Sequence, residues 1–85
     1  METETTTYLR EMAMGTVGRI VGYDKVLQGY KGKLLSMGLK PGTEFTLIRV
    51  SPLGDRFEIN VRGIHLTLNK PEANALVIEE VGHID

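Results

Sequence analysis

Between Arg56 and Leu68 the chain alternates in two runs. Phe57, Ile59 and Val61 share one face of an extended segment, and Glu58, Asn60 and Arg62 share the other. Ile64, Leu66 and Leu68 continue the pattern against His65 and Thr67. Successive strand side chains point to opposite faces, so these apolar residues are expected to enter one core. Arg62-Gly63 lies between the two runs and reads as a tight hairpin turn, with the glycine accepting a positive φ.

Other segments break their own pattern, and the breaks are informative. In "TEFTLIRV", Phe45 and Leu47 share one parity, whereas Ile48 and Val50 follow the other. A change of phase inside one strand predicts a bulge or a sharp bend. In "GTVGRIVGY", Val17, Ile20, Val21 and Tyr23 read as a strand, with Gly18 and Gly22 at bends or close backbone approaches. Leu27, Tyr30, Leu34 and Met37 recur at spacings of three and four, widened by Leu35. Gly29 and Gly32 weaken that helix, each by about 1 kcal/mol relative to alanine, so it is expected only over Lys31–Met37. Gly38 is placed to end it in the left-handed conformation, Leu39 to fold back on its last turn, and Pro41 to prevent its continuation.

Tyr8, Leu9 and Met12 suggest one apolar turn over the core. "NKPEANA" suggests a single helical turn with Pro71 at its first position, and "LVIEEV" a closing strand. Residues 1–7 lack periodicity and are expected to be a flexible end, with one domain over 8–85. The expected fold is mainly β: about five strands, one or two short helices, and a bent sheet rolled into a small barrel.

Composition narrows the function. At 85 residues with 25% charged and 41% hydrophobic residues, the chain suits one folded domain, with no room for separate catalytic and substrate domains. The absence of cysteine removes disulfides and thiolate metal sites. No apolar run is long enough to span a bilayer. The acidic, Thr-rich start lacks the basic and apolar regions of a signal peptide, so a cytoplasmic location is expected. Charge is segregated: Arg19, Lys25, Lys31, Lys33 and Lys40 form a basic middle between acidic ends. Such a middle either balances the ends internally or faces an acidic partner.

The order "LLSMGLKPGTEF", "SPLGD", Arg62-Gly63 and "LNKPEANAL" resembles the FeoA family of bacterial ferrous-iron transport proteins. Leu34, Leu35, Met37, Gly38, Leu39, Pro41, Gly42, Thr43, Pro52, Leu53, Gly54, Asp55, Leu66, Leu68 and Ala73 carry the resemblance, which extends over about residues 8–81. It implies an SH3-like β-barrel and a small cytosolic accessory protein of the Feo uptake system, not an enzyme. The implied partner is the cytosolic region of the FeoB permease, reached by protein–protein contact. The resemblance also associates the chain with transition metal ions. Arg56 departs from the pattern, which often has a second proline there, and this bears on the rigidity of the loop. The same domain ends iron-responsive repressors, but no helix-turn-helix precedes it here, which favours the free-standing form. The alternative reading is a small-barrel nucleic-acid-binding or iron-responsive regulatory module.

The residues agree with the absence of catalysis. His65 falls on an outward strand face. Asp55 and Glu58 lack an apolar wall that would raise a pKa and read as turn and surface residues. "GYKGKLL" is not a phosphate loop, because Leu27 stands where its first glycine belongs and Leu34 where serine or threonine would bind magnesium. The tail offers Glu79, Glu80, His83 and Asp85 without ligand spacing, so no tight metal site and no cofactor are expected. Met12, Met14 and Met37 read as core filler. Base stacking would need exposed aromatics, and most of Tyr8, Tyr23, Tyr30, Phe45 and Phe57 fall at core-facing positions. Function must then come from contact. The candidate partner-binding residues are Lys31 and Lys33 on the helix and Leu53 and Arg56 on the "SPLGDR" loop. Leu53 either folds back to plug the barrel or projects as an anchor.

Overall fold

The alternating segment forms the hairpin it predicts. The computed structural model describes residues 6–83. Its strands are β1 (Thr6–Tyr8), β2 (Thr16–Tyr23), β3 (Glu44–Val50), β4 (Arg56–Val61), β5 (Ile64–Asn69) and β6 (Leu76–His83), with helices α1 (Lys31–Ser36) and α2 (Lys70–Asn74). Phe57, Ile59, Val61 and Leu68 are buried as expected. Ile64 is not: it is 61% exposed, because it follows the turn directly and lies beyond the reach of the core. Leu66 is only half-buried. The turn uses positive φ at Arg62 (54°) as well as at Gly63 (86°). That is the primed geometry whose twist suits a hairpin, and the Asn60 side-chain oxygen accepts the Gly63 amide at 2.9 Å.

All strands belong to one antiparallel sheet in the order β1-β6-β2-β3-β4-β5. The mainly β, SH3-like architecture is present, with six strands rather than about five, and the sheet bends without closing: β1 and β5 remain its edges. Thr6 and Thr7 supply most of the additional strand by pairing with Glu79 and Ile78 of β6. A three-residue strand of threonine and tyrosine carries no period to read, so only its partner reveals it.

The bends come from bulges. In β3 the register shifts between Leu47 and Arg49, leaving Ile48 unpaired and exposed, where the sequence changes phase. The β2–β6 ladder shifts twice, between Val17 and Gly18 and between Ile20 and Gly22. Gly18 lies opposite Phe45, and a Cβ there would stand 2.8 Å from the buried ring. Close approach explains that glycine.

α1 ends as its sequence predicts. Gly38 has φ +87°, its amide is donated to the Leu35 carbonyl at 3.0 Å, and the Leu39 amide is donated to the Leu34 carbonyl at 2.9 Å. These paired bonds satisfy carbonyls that the helix end leaves free. Leu34 and Leu39 are both fully buried, so the fold-back also contributes apolar burial of about 1.5–3 kcal/mol per leucine. Gly38→Ala should cost about 1 kcal/mol, because a Cβ is disfavoured at that φ. Urea denaturation measures it, and an unchanged midpoint would refute the capping role.

The core lies between the concave side of the sheet and the helices. Ile20, Leu47, Ile59 and Ile78 enter it from the central strands, and Ala73 from α2. The turn at Leu9–Glu11 brings in Leu9, which is fully buried, and Met12 follows.

Candidate functional site

The loop between β3 and β4 is held by its own polar groups. The Ser51 amide is donated to the Arg56 carbonyl at 2.9 Å, and the Gly54 amide to the Ser51 carbonyl at 2.8 Å. The Ser51 hydroxyl donates to Asp55 Oδ1 at 2.6 Å and accepts the backbone amides of Asp55 and Arg56 at 3.2 and 3.1 Å. That hydroxyl holds the Asp55 carboxyl below its ordinary value, against the opposing effect of desolvation. The Arg56 amide bond could not form with proline, which has no N–H. The departure from proline therefore fastens the loop. The Asp55 carbonyl also accepts the first amide of α2, from Lys70, at 2.9 Å.

On this fastened loop Leu53 projects, 87% exposed. Of the two alternatives for Leu53, the structure selects projection over a plug. Arg56 is exposed beside it at the start of β4.

The helical lysines are used differently. Lys33 Nζ pairs with Glu72 Oε2 of α2. Glu72 is 4% exposed, and its other oxygen accepts the Asn69 amide at 2.9 Å. Burial is the largest influence on this carboxyl and opposes ionisation, but Lys33 and the Asn69 amide outweigh it and lower the pKa. Lys33 thus ties α1 to α2. Lys31 is exposed, with its ammonium 5.6 Å from the centre of the Tyr23 ring, and the Tyr23 hydroxyl donates to the Leu39 carbonyl at 2.7 Å. The four candidates therefore do not converge on one centre. Leu53 and Arg56 share a loop, Lys33 reaches it only through α2, and Lys31 turns toward β2.

Two features escape the sequence reading. Glu72 looks like an ordinary acidic helix residue, and only the distant Lys33 explains its burial. Val26, in the connection after β2, is 89% exposed. Its amide is donated to Asp24 Oδ1 at 2.8 Å, and the Tyr8 hydroxyl donates to Asp24 Oδ2 at 2.9 Å. The Tyr8 bond foremost lowers the Asp24 pKa and raises that of Tyr8. An aspartate two residues before an apolar one is the available signal for such a turn.

The remaining polar clusters are surface ion pairs. Arg19 bridges Glu44 and Glu79, and Glu58 accepts Arg49 and contacts His65 at 3.2 Å each. Pairs of this kind contribute about 0–1 kcal/mol. Of the acidic tail, Glu79 is engaged by Arg19, Glu80 is exposed, and Asp85 lies outside the described residues. Among the described residues no three histidine or carboxylate side chains gather as metal ligands. No helix among them is long and apolar enough to cross a membrane.

A small bent antiparallel sheet with two short helices and a projecting apolar loop defines a small, mainly β domain. The FeoA domain model matches residues 7–80, and the chain belongs to that family. Membership supports a role in the ferrous iron transport system, in a transport-associated family rather than an enzyme family. Solved structures agree. One, an iron uptake regulatory protein (FeoA), is 28% identical, with 91% of this chain and 99% of that one covered and a TM-score of 0.76. An FeoA-like protein from Clostridium acetobutylicum is 25% identical, covering 99% of this chain and 95% of that one at a TM-score of 0.83. A manganese-dependent transcriptional repressor shares the fold at 12% identity and a TM-score of 0.82, over 94% of this chain and 44% of that one.

Proposed function

We propose that this chain is a cytosolic accessory protein of ferrous-iron uptake that acts by docking on the cytosolic region of a FeoB-type permease. Leu53 carries the reading: a large apolar side chain, 87% exposed, stands on a loop already fastened by the Ser51 hydroxyl. A rigid apolar tip loses little conformational entropy on binding and suits an anchor entering a partner pocket. Arg56 beside it and Lys31 on α1 add positive charge for an acidic partner surface. Lys33 contributes less to docking, because its charge is engaged by Glu72. Iron is the cargo of the permease, and this chain works through contact with the transporter. The nucleic-acid reading is less favoured, since Phe45 and Phe57 are buried and Tyr8, Tyr23 and Tyr30 are half-buried, which leaves no exposed ring for base stacking.

The experiment measures binding to the permease's cytosolic region with and without nucleotide. Leu53→Ser should raise the dissociation rate about tenfold or more, the loss expected when an apolar anchor is removed. Lys31→Glu should slow association and weaken its salt dependence. Both variants should melt as the parent does. Wild-type binding kinetics in both would place the contact elsewhere, and retention on single-stranded DNA at low salt would favour the alternative.

A further inference from the structure

Among the described residues, the β4–β5 hairpin leaves one row of backbone groups unpaired. Val61 and Ile64 flank its two-residue turn and form the first pair of the ladder. In an antiparallel ladder, pairs that exchange both hydrogen bonds alternate with pairs that exchange none. The tight turn makes Val61 and Ile64 a bonded pair, so Ile59 with Leu66 and Phe57 with Leu68 are bonded as well. The N–H and C=O groups of His65, Thr67 and Asn69 therefore point away from β4. The Asn69 amide agrees with this count, since it is donated to Glu72 of α2 at 2.9 Å. Among the described residues nothing in the sheet lies beyond β5. His65 and Thr67 are both exposed, and each presents one donor and one acceptor on the open edge.

Natural sheets guard such edges with lysine, proline or a bulge. β5 reads Ile-His-Leu-Thr-Leu-Asn, without lysine or proline, and its pairing with β4 has no register shift. The other edge differs, because β1 has only three residues.

We propose that a second copy of this chain pairs antiparallel along β5, about a two-fold axis at Leu66. In that register His65 lies opposite Thr67 of the second copy, and Thr67 opposite its His65. Each free amide of one copy then meets a free carbonyl of the other. Leu66 faces Leu66, and Ile64 faces Leu68 of the second copy, so apolar residues meet apolar ones and polar residues meet polar ones. Ile64, 61% exposed in the single chain, gains an apolar neighbour. β5 contains no lysine, arginine, aspartate or glutamate, so no such charges of like sign face one another across the pairing. The identical strand satisfies every position of its own pattern, which is the requirement for an isologous contact.

Sedimentation equilibrium of the full chain, with hydrogen exchange of the His65 and Thr67 amides over a concentration series, tests the pairing. A dimer should accumulate with concentration, and protection of both amides should rise with it. Thr67→Pro removes an edge donor that the β4 ladder does not use, so the hairpin should persist. It should raise the dimer dissociation constant about tenfold or more, the loss expected for unmaking paired backbone bonds. Ile64→Lys, at an exposed position, should do the same and serves if the proline variant fails to fold. A monomer with freely exchanging His65 and Thr67 amides at millimolar concentration would overturn the proposal. So would a dimer that persists unchanged in the folded variants.

Discussion

Ile59→Ala should cost about 2–5 kcal/mol of folding stability, a large share of what a small domain has. Ile59 is fully buried in β4, with Leu47 of β3 paired on one side and Leu66 of β5 on the other. Truncation removes transfer free energy and leaves a cavity between strands that ladders hold in place, so the surroundings can close over it only partly. The same truncation at Leu66 should cost less, about 1–2 kcal/mol, because water already reaches that half-buried edge residue. Guanidinium denaturation of both variants gives the two values. A loss under about 1 kcal/mol at Ile59, or a larger loss at Leu66 than at Ile59, would contradict the full burial of Ile59 and the half-burial of Leu66.

Lys33→Ala should cost about 1–3 kcal/mol at neutral pH, by leaving the buried Glu72 carboxylate without its cation. The cost should depend on pH with a definite sign. In the parent, the Glu72 pKa lies below its ordinary value of 4.5. Stabilisation from the ion pair is therefore complete above that unfolded value and is lost as pH falls through the lower folded one. In the variant, burial acts on Glu72 with only the Asn69 amide to oppose it, so the carboxyl titrates higher than in the parent. The stability difference between parent and variant should then shrink as the pH falls through the acid range. Asp24 and Asp55, both lowered from 3.8, add acid sensitivity of the same sign to parent and variant alike. Thermal melts from neutral to acid pH measure the difference directly. A constant difference across that range would show that Lys33 contributes through its aliphatic stem rather than its charge.

This pair also changes how Lys33 variants must be read. Lys33→Glu places a second carboxylate beside a buried one, so a binding loss there reflects folding as much as docking. Lys31→Glu does not share the problem, because Lys31 lies over the Tyr23 ring without an acidic partner among the described residues.

Local chemistry made much of the fold legible. The alternation from Phe57 to Val61, the phase change at Ile48 and the stop at Gly38 each express a rule that acts within a few residues: side-chain period, bulge parity and backbone freedom at positive φ. The hairpin turn was legible through Gly63, whereas positive φ at Arg62 was not, because arginine carries no marker for it. Alternation also placed Ile64 inward, although the hairpin tip extends past the core. The candidate site was legible only in part. "SPLGDR" identified a loop with an apolar residue, yet whether Leu53 folds back or projects depends on how the loop sits against the rest of the fold, which its neighbours in the chain do not set.

By itself, then, the sequence determined the strand parities, the helix stop and the family pattern, since all of these depend on neighbours in the chain. Tertiary structure alone decided the rest. Thr6–Tyr8 becomes a strand because β6 offers it an edge. Glu72 is buried as a charge because Lys33, 39 residues away, reaches it. β5 is an edge among the described residues, and β1 pairs with β6 at the other end of the sheet. Each outcome depends on which distant segment arrives at a given place, and a hydrophobic period carries no information about that.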